Sequence, residues 1–203
     1  MSAMNLLPLQ VTGVATLLVV ALAMWAVSGG GARAALRHGV LRLDSYVTGL
    51  ASLIASAALA VACLAGLWQV VARFATETPS IWSEALVRTA LIWMAYTGLA
   101  VALRAGAVIS IDMAQRLTSG ATRRAIEATS LAATLSMLGV MFWFGWLMAE
   151  RVKFQEMAGL EVPMSWGYAA IPIGAVFAMV GAVAHFLDRP FLERQSSELE
   201  TAV

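Results

Sequence analysis

The sequence predicts an all-α integral membrane protein, a bundle of five transmembrane helices with the N-terminus outside and the C-terminus inside. Three observations carry this. The first is composition: of 203 residues, 61% are hydrophobic and only 12% are charged, about half the charge of a soluble domain. Too few polar side chains remain to cover a surface facing water. The second is where the charges fall. Residues 1–32, 45–72, 128–149 and 162–187 contain no Asp, Glu, Lys or Arg, and each can supply the roughly 20 apolar residues that cross a bilayer. A shorter charge-free run, 89–103, makes a fifth span if its charged flanks reach outward along the helix. The third is the distribution of the thirteen basic residues. With the N-terminus outside, only Arg73, Arg88, Arg151 and Lys153 face outward and the other nine face inward, the bias of the positive-inside rule.

The elements follow in order. The first span covers residues 6–27, and its uncharged start and long apolar run fit an uncleaved helix rather than a secretory signal. Residues 1–28 therefore form one unit, closed by Ser28-Gly29-Gly30-Gly31, a strong helix stop. Residues 29–44 are a basic cytoplasmic linker carrying Arg33, Arg37 and Arg42. The second span, 46–71, is rich in Ala, Ser and Gly, which let helices approach closely in lipid. Thr78-Pro79-Ser80 breaks the chain, and Ser80 stands as an N-cap for the third span, 81–103. An inner loop follows, then the fourth span, 128–148. The mixed charges of 150–167 read as an amphipathic extension above the bilayer. The fifth span, 168–187, is entered through Pro163 and carries Pro172 in its first turns, where a missing N–H is cheap. Residues 45–187 thus hold four helices, and 188–203 are a polar cytoplasmic tail expected to fray. Trp68, Trp82, Trp143, Trp146 and Trp166 all fall near the outer boundary, where indole rings favour the interface.

Little catalytic chemistry is on offer. A net charge of +1 gives no basic surface for nucleic acid. The two histidines, His38 and His185, are poorly placed for a haem pair in the membrane. No phosphate-binding glycine loop, no metal-ligand cluster and no catalytic pair stands out, so no cofactor, no metal and no enzyme activity is expected. Cys63 lies in an apolar run and reads as a small packing residue.

What remains are charges at the ends of spans. Glu84 and Arg88 are four apart at the start of the third span, in the favourable order for a helical ion pair. They fit either an inter-subunit contact or a pair within the helix. Arg104 closes that span as an anchor for a phospholipid headgroup, and Asp112 with Arg116 makes a second spacing-four pair in the inner loop.

Several of these residues belong to one pattern. Trp68-Gln69-Val70-Val71-Ala72-Arg73-Phe74, Pro79, Trp82-Ser83-Glu84, Arg88, Trp93, Gly98 and Arg104 resemble the small membrane subunit of tripartite ATP-independent periplasmic (TRAP) transporters. The likeness continues through Ile109-Ser110-Ile111-Asp112, Leu160-Glu161-Val162-Pro163, Trp166, Tyr168, Ile171-Pro172 and Gly174. Val108 stands where members often have His, and the family core has four helices, so the first span is an addition. The resemblance implies a scaffold subunit that binds no substrate itself. It implies as partners a large membrane subunit, which it braces, and a periplasmic binding protein that it helps to dock. The system would take up carboxylates and related organic acids on an ion gradient, across the bacterial inner membrane. Arg73, Trp82, Glu84, Arg88, Arg104, Asp112 and Trp166 are the candidate residues for contact with a partner or with lipid. The competing reading is a self-sufficient, homo-oligomeric, proton-linked transporter or channel using Glu84.

Overall fold

Within hydrocarbon, backbone N–H and C=O groups must be satisfied inside the segment, so each long apolar run becomes a helix. The structure, a computed structural model, describes residues 13–22, 31–75, 80–106 and 121–201. In chain order its helices are α1 (Gly13–Leu22), α2 (Gly31–Ala75), α3 (Ile81–Arg104), α4 (Ala121–Arg151), the single turn α5 (Ser165–Tyr168) and α6 (Ala170–Thr201). Four stretches are long and apolar enough to span a bilayer: Arg37–Ala75, Ile81–Arg104, Ala125–Arg151 and Ser165–Asp188. The described part of α1 rises only about 15 Å, half the hydrocarbon thickness.

Three elements differ from the sequence reading. Helix α2 is described from Gly31, so residues 31–44 of the stretch read as a basic linker are helix continuous with the span. Its Ala, Leu and Arg residues are strong helix formers, and no proline interrupts them. Helix α6 likewise runs on to Thr201. The segment between α4 and α5, read as an amphipathic extension above the bilayer, takes the form of a tight, hairpin-like loop. Gly159 at φ 86° and Glu161 at φ 51° turn the chain, and Pro163 closes an isolated bridge with Glu156. The Met157 N–H donates to Val162 O at 2.9 Å, and the Met164 N–H donates to Gln155 O at 2.7 Å.

The helices pack up and down. Helix α3 lies against α2 and α6, and α6 also touches α2 and α4. Small residues set the closeness of the α3–α6 seam. A Cβ on Gly174 would lie 2.7 Å from the Tyr96 carbonyl oxygen, and one on Gly181 would lie 3.0 Å from that of Ala100. Ala51, Ala100, Leu103, Leu138 and Ala178 form the shared core. A second cluster joins Val20 of α1 to Leu131 and Leu135 of α4 and Ala182 of α6, so α1 is seated on the α4–α6 face. Two buried hydroxyls of α3 bond to nearby backbone: Thr97 Oγ1 donates to Trp93 O at 2.6 Å, and Ser83 Oγ to Ser80 O at 2.8 Å. Ser80 does occupy the N-cap position of α3. Its hydroxyl pairs with the Ser83 hydroxyl and makes no side-chain cap bond to the backbone.

Candidate functional site

Up-and-down packing sends the candidate residues to two opposite ends of the bundle. Helix α2 ends where α3 begins, so Arg73, Trp82, Glu84 and Arg88 share one end. Helix α4 ends there too, and the loop to α5 brings Trp166 to the same level. Glu84 and Arg88 pair within α3, Arg88 donating to Glu84 Oε1 at 2.7 Å, with side chains 59% and 72% exposed. A pair that open contributes about 0.3–0.5 kcal/mol. The loop is bound down onto the first turns of α3. A Cβ on Gly159 would meet the Trp82 nitrogen at 2.8 Å, so only glycine allows both this contact and its positive φ. Trp93 Nε1 donates to the Trp166 carbonyl at 3.0 Å, and Thr89 Oγ1 lies 3.3 Å from Met157 Sδ. What this end presents outward is aromatic: Phe154 is 87% exposed, Phe74 80% and Trp166 65%, with Trp82 also exposed. Arg73 stands exposed beside Phe74.

Arg104 lies at the other end. The sequence offered it to a phospholipid headgroup; in the structure two carboxylates of its own chain hold it. Its Nε donates to Asp44 Oδ2 at 2.5 Å, and one terminal nitrogen donates to Asp188 Oδ2 at 2.8 Å. Arg37 reaches Asp188 Oδ1 at 3.5 Å and donates from Nε to Leu187 O at 3.2 Å. Thr48 Oγ1 completes the Asp44 carboxylate at 3.0 Å. Two positive and two negative charges thus tie α2, α3 and α6 together, with the Asp44 side chain only 3% exposed. His185 Nδ1 lies 3.2 Å from the Arg104 carbonyl, which can only accept, so this nitrogen carries the proton. Gly106, at φ 70°, leaves room for that ring, since a Cβ would fall 2.8 Å from His185 Cε1.

The sequence reading did not single out Asp44, Asp188 or the pairing of Arg37. One signal was available: an aspartate opening a long apolar run is costly unless a cation meets it. Which cation could not be read, since Arg104 is 60 residues further along the chain. Asp112 lies outside the described residues. Among the described residues, no group of three or more His, Cys, Asp or Glu is gathered for a metal. Three cavities among the described residues lie along helix faces, with linings largely apolar. Glu84 lines none of these three.

Comparison with known proteins bears on this bundle directly. The family model for tripartite ATP-independent periplasmic transporters, DctQ component, matches residues 62–190, from the last third of α2 into α6. The chain is also similar to the sialic acid TRAP transporter small permease protein SiaQ of Vibrio cholerae serotype O1, with 30% identity over 110 residues. That match covers 54% of this chain and 64% of the relative, slightly under two thirds of the relative's length.

Proposed function

Since the chain belongs to the DctQ-component family of TRAP transporters, we propose that it braces a large transport subunit and helps to dock a periplasmic binding protein. It is a small permease subunit, a multi-pass protein of the bacterial inner membrane and a transporter component rather than an enzyme. The finer reading adds an orientation: the Arg104 end faces the cytoplasm and the tryptophan end the periplasm, with α1 a fifth span, N-terminus out. Basic residues favour this sidedness. The exposed aromatic loop and Arg73, Trp82, Glu84, Arg88 and Trp166 would then meet the periplasmic partner or the outer seam with the large subunit. Substrates would be carboxylates or related organic acids, driven by an ion gradient and bound by other subunits. The relative's stated substrate is sialic acid.

The observation that carries the bracing role is the α2 face. Only 17% of the most apolar stretch of α2 is buried within the chain, and Leu53, Leu64, Leu67 and Trp68 are all more than half exposed. A 45-residue helix tied to α3 at Asp44, packed on α3 and α6 along one side and apolar and exposed on the other, is suited to a rigid contact with a larger membrane partner. The test is recovery of the complex from membranes in mild detergent, with the tag on this chain. Arg88→Glu should lower recovery of the large subunit several-fold, whereas Glu198→Ala, far along α6, should not. Equal recovery with both variants would count against an interface at the start of α3. Isolation of this chain alone, with uptake intact after its removal, would sink the bracing role.

A further inference from the structure

Two adjoining cavities of about 430 and 250 Å³ lie in the groove between α4 and α6, sharing Trp146, Ala149, Ala169 and Ile173. On α4 the spacing Phe142, Trp146, Ala149 places one stripe on one face, and Lys153, in the turn just past the end of the helix, lies at the mouth. The larger cavity, at the tryptophan end, is rimmed by Glu150, Lys153 and Trp166. The smaller one is wholly apolar and runs deeper along Phe142, Val176 and Phe177. From Phe142 to Glu150 the helix rises about 12 Å, close to the ~15 Å hydrocarbon depth of one leaflet. The rim chemistry is specific. Lys153, the only lysine of the chain, has no carboxylate partner among the described residues; its ammonium lies 5.1 Å above the Phe154 ring. Glu150 likewise has no basic partner among them, although Lys153 is three residues away. The indoles of Trp146 and Trp166, 55% and 65% exposed, stand beside these charges.

An unpaired cation, an unpaired anion and two exposed indole rings above an acyl-sized apolar trough complement one kind of molecule. We propose that this groove binds a zwitterionic phospholipid of the adjacent leaflet, a phosphatidylethanolamine. Lys153 holds its phosphate and Glu150 its ammonium, and one acyl chain lies against Phe142, Val176 and Phe177. Charge-assisted bonds of this kind are stronger than neutral ones, and both form at the boundary, where the dielectric is lower than in water. Naming the leaflet as the periplasmic one rests on the orientation proposed above; the site itself does not. Helix α1 meets the same α4–α6 face around Leu131, Ser136 and Ala182, and among its described residues none lines either cavity.

The experiment is native mass spectrometry of the full chain in mild detergent, offered an equimolar mixture of phosphatidylethanolamine and phosphatidylglycerol. The wild type should retain phosphatidylethanolamine in preference. Lys153→Glu should lower that retention about fivefold, the share of one basic side chain near a headgroup. Glu150→Gln, conservative and on the surface, should abolish the preference by raising retained phosphatidylglycerol to the same level. A phosphatidylethanolamine with a photoreactive tail should label peptides containing Phe142–Trp146 or Ile173–Phe177. Unchanged retention and preference in both variants would overturn the proposal. So would labelling confined to other helices, or a groove labelled only after the large subunit is removed. None of these outcomes touches complex recovery, so the proposed subunit role is judged separately.

Discussion

Arg104 ends an apolar helix with a guanidinium that is one-quarter exposed and held by Asp44 and Asp188. Taking such charges out of water is costly, and breaking one partner away leaves the other uncompensated. Asp44→Ala should therefore cost about 3–5 kcal/mol, seen as a thermal midpoint in detergent lowered by on the order of 10 °C. The double variant Asp44→Asn with Arg104→Gln removes one charge of each sign and leaves Arg37 with Asp188. Its loss should be smaller than the sum of the two single losses, a coupling that a double-mutant cycle reads directly. Strictly additive losses would mean that the two side chains act independently. The Glu84–Arg88 pair, open to its surroundings, should by contrast change stability by less than ~1 kcal/mol when either member is neutralised. The i,i+4 spacing was enough to read that pair, whereas Asp44 and Asp188 became visible only through the fold.

Among the elements, the α3–α6 seam depends on missing side chains. Gly174 brings its helix so near Tyr96 that a methyl group would fall 2.6 Å from the Tyr96 Cβ. Gly174→Ala should force the helices apart and cost about 1–3 kcal/mol. Gly98 in α3 has nothing within 4 Å of the position a Cβ would take. Gly98→Ala should therefore be neutral or gain up to ~1 kcal/mol through helix propensity. One substitution with opposite signs at two helical glycines, measured by thermal unfolding in detergent, separates packing from propensity. Loss of stability at both sites would place an unseen contact at Gly98. The sequence supplied the abundance of small residues in the spans. It could not say which of them form the seam, because glycine and alanine also occur on faces turned to lipid.

For the whole molecule, α1 lies outside the stretch that the family model matches and is fastened through Val20 to Leu131, Leu135 and Ala182. Removal of residues 1–28 should keep the large subunit in the complex, since α2 and α3 are intact, while lowering the thermal midpoint of the chain. Loss of the complex in that truncation would move the interface onto α1. By itself the sequence determined that the chain is a membrane protein, where its apolar helices lie to within a few turns and which family it belongs to. Composition, charge-free runs and spaced motif residues are local properties, and they survive without any knowledge of packing. Only the tertiary structure decided the four-charge tie of Arg37, Asp44, Arg104 and Asp188, the docking of the Gly159 turn on Trp82 and the seating of α1. In water a helix shows its buried face by polarity; in a bilayer the lipid-facing and protein-facing sides are equally apolar. The packing faces are therefore written in side-chain size and in charges up to 151 residues apart, which only the folded chain brings together.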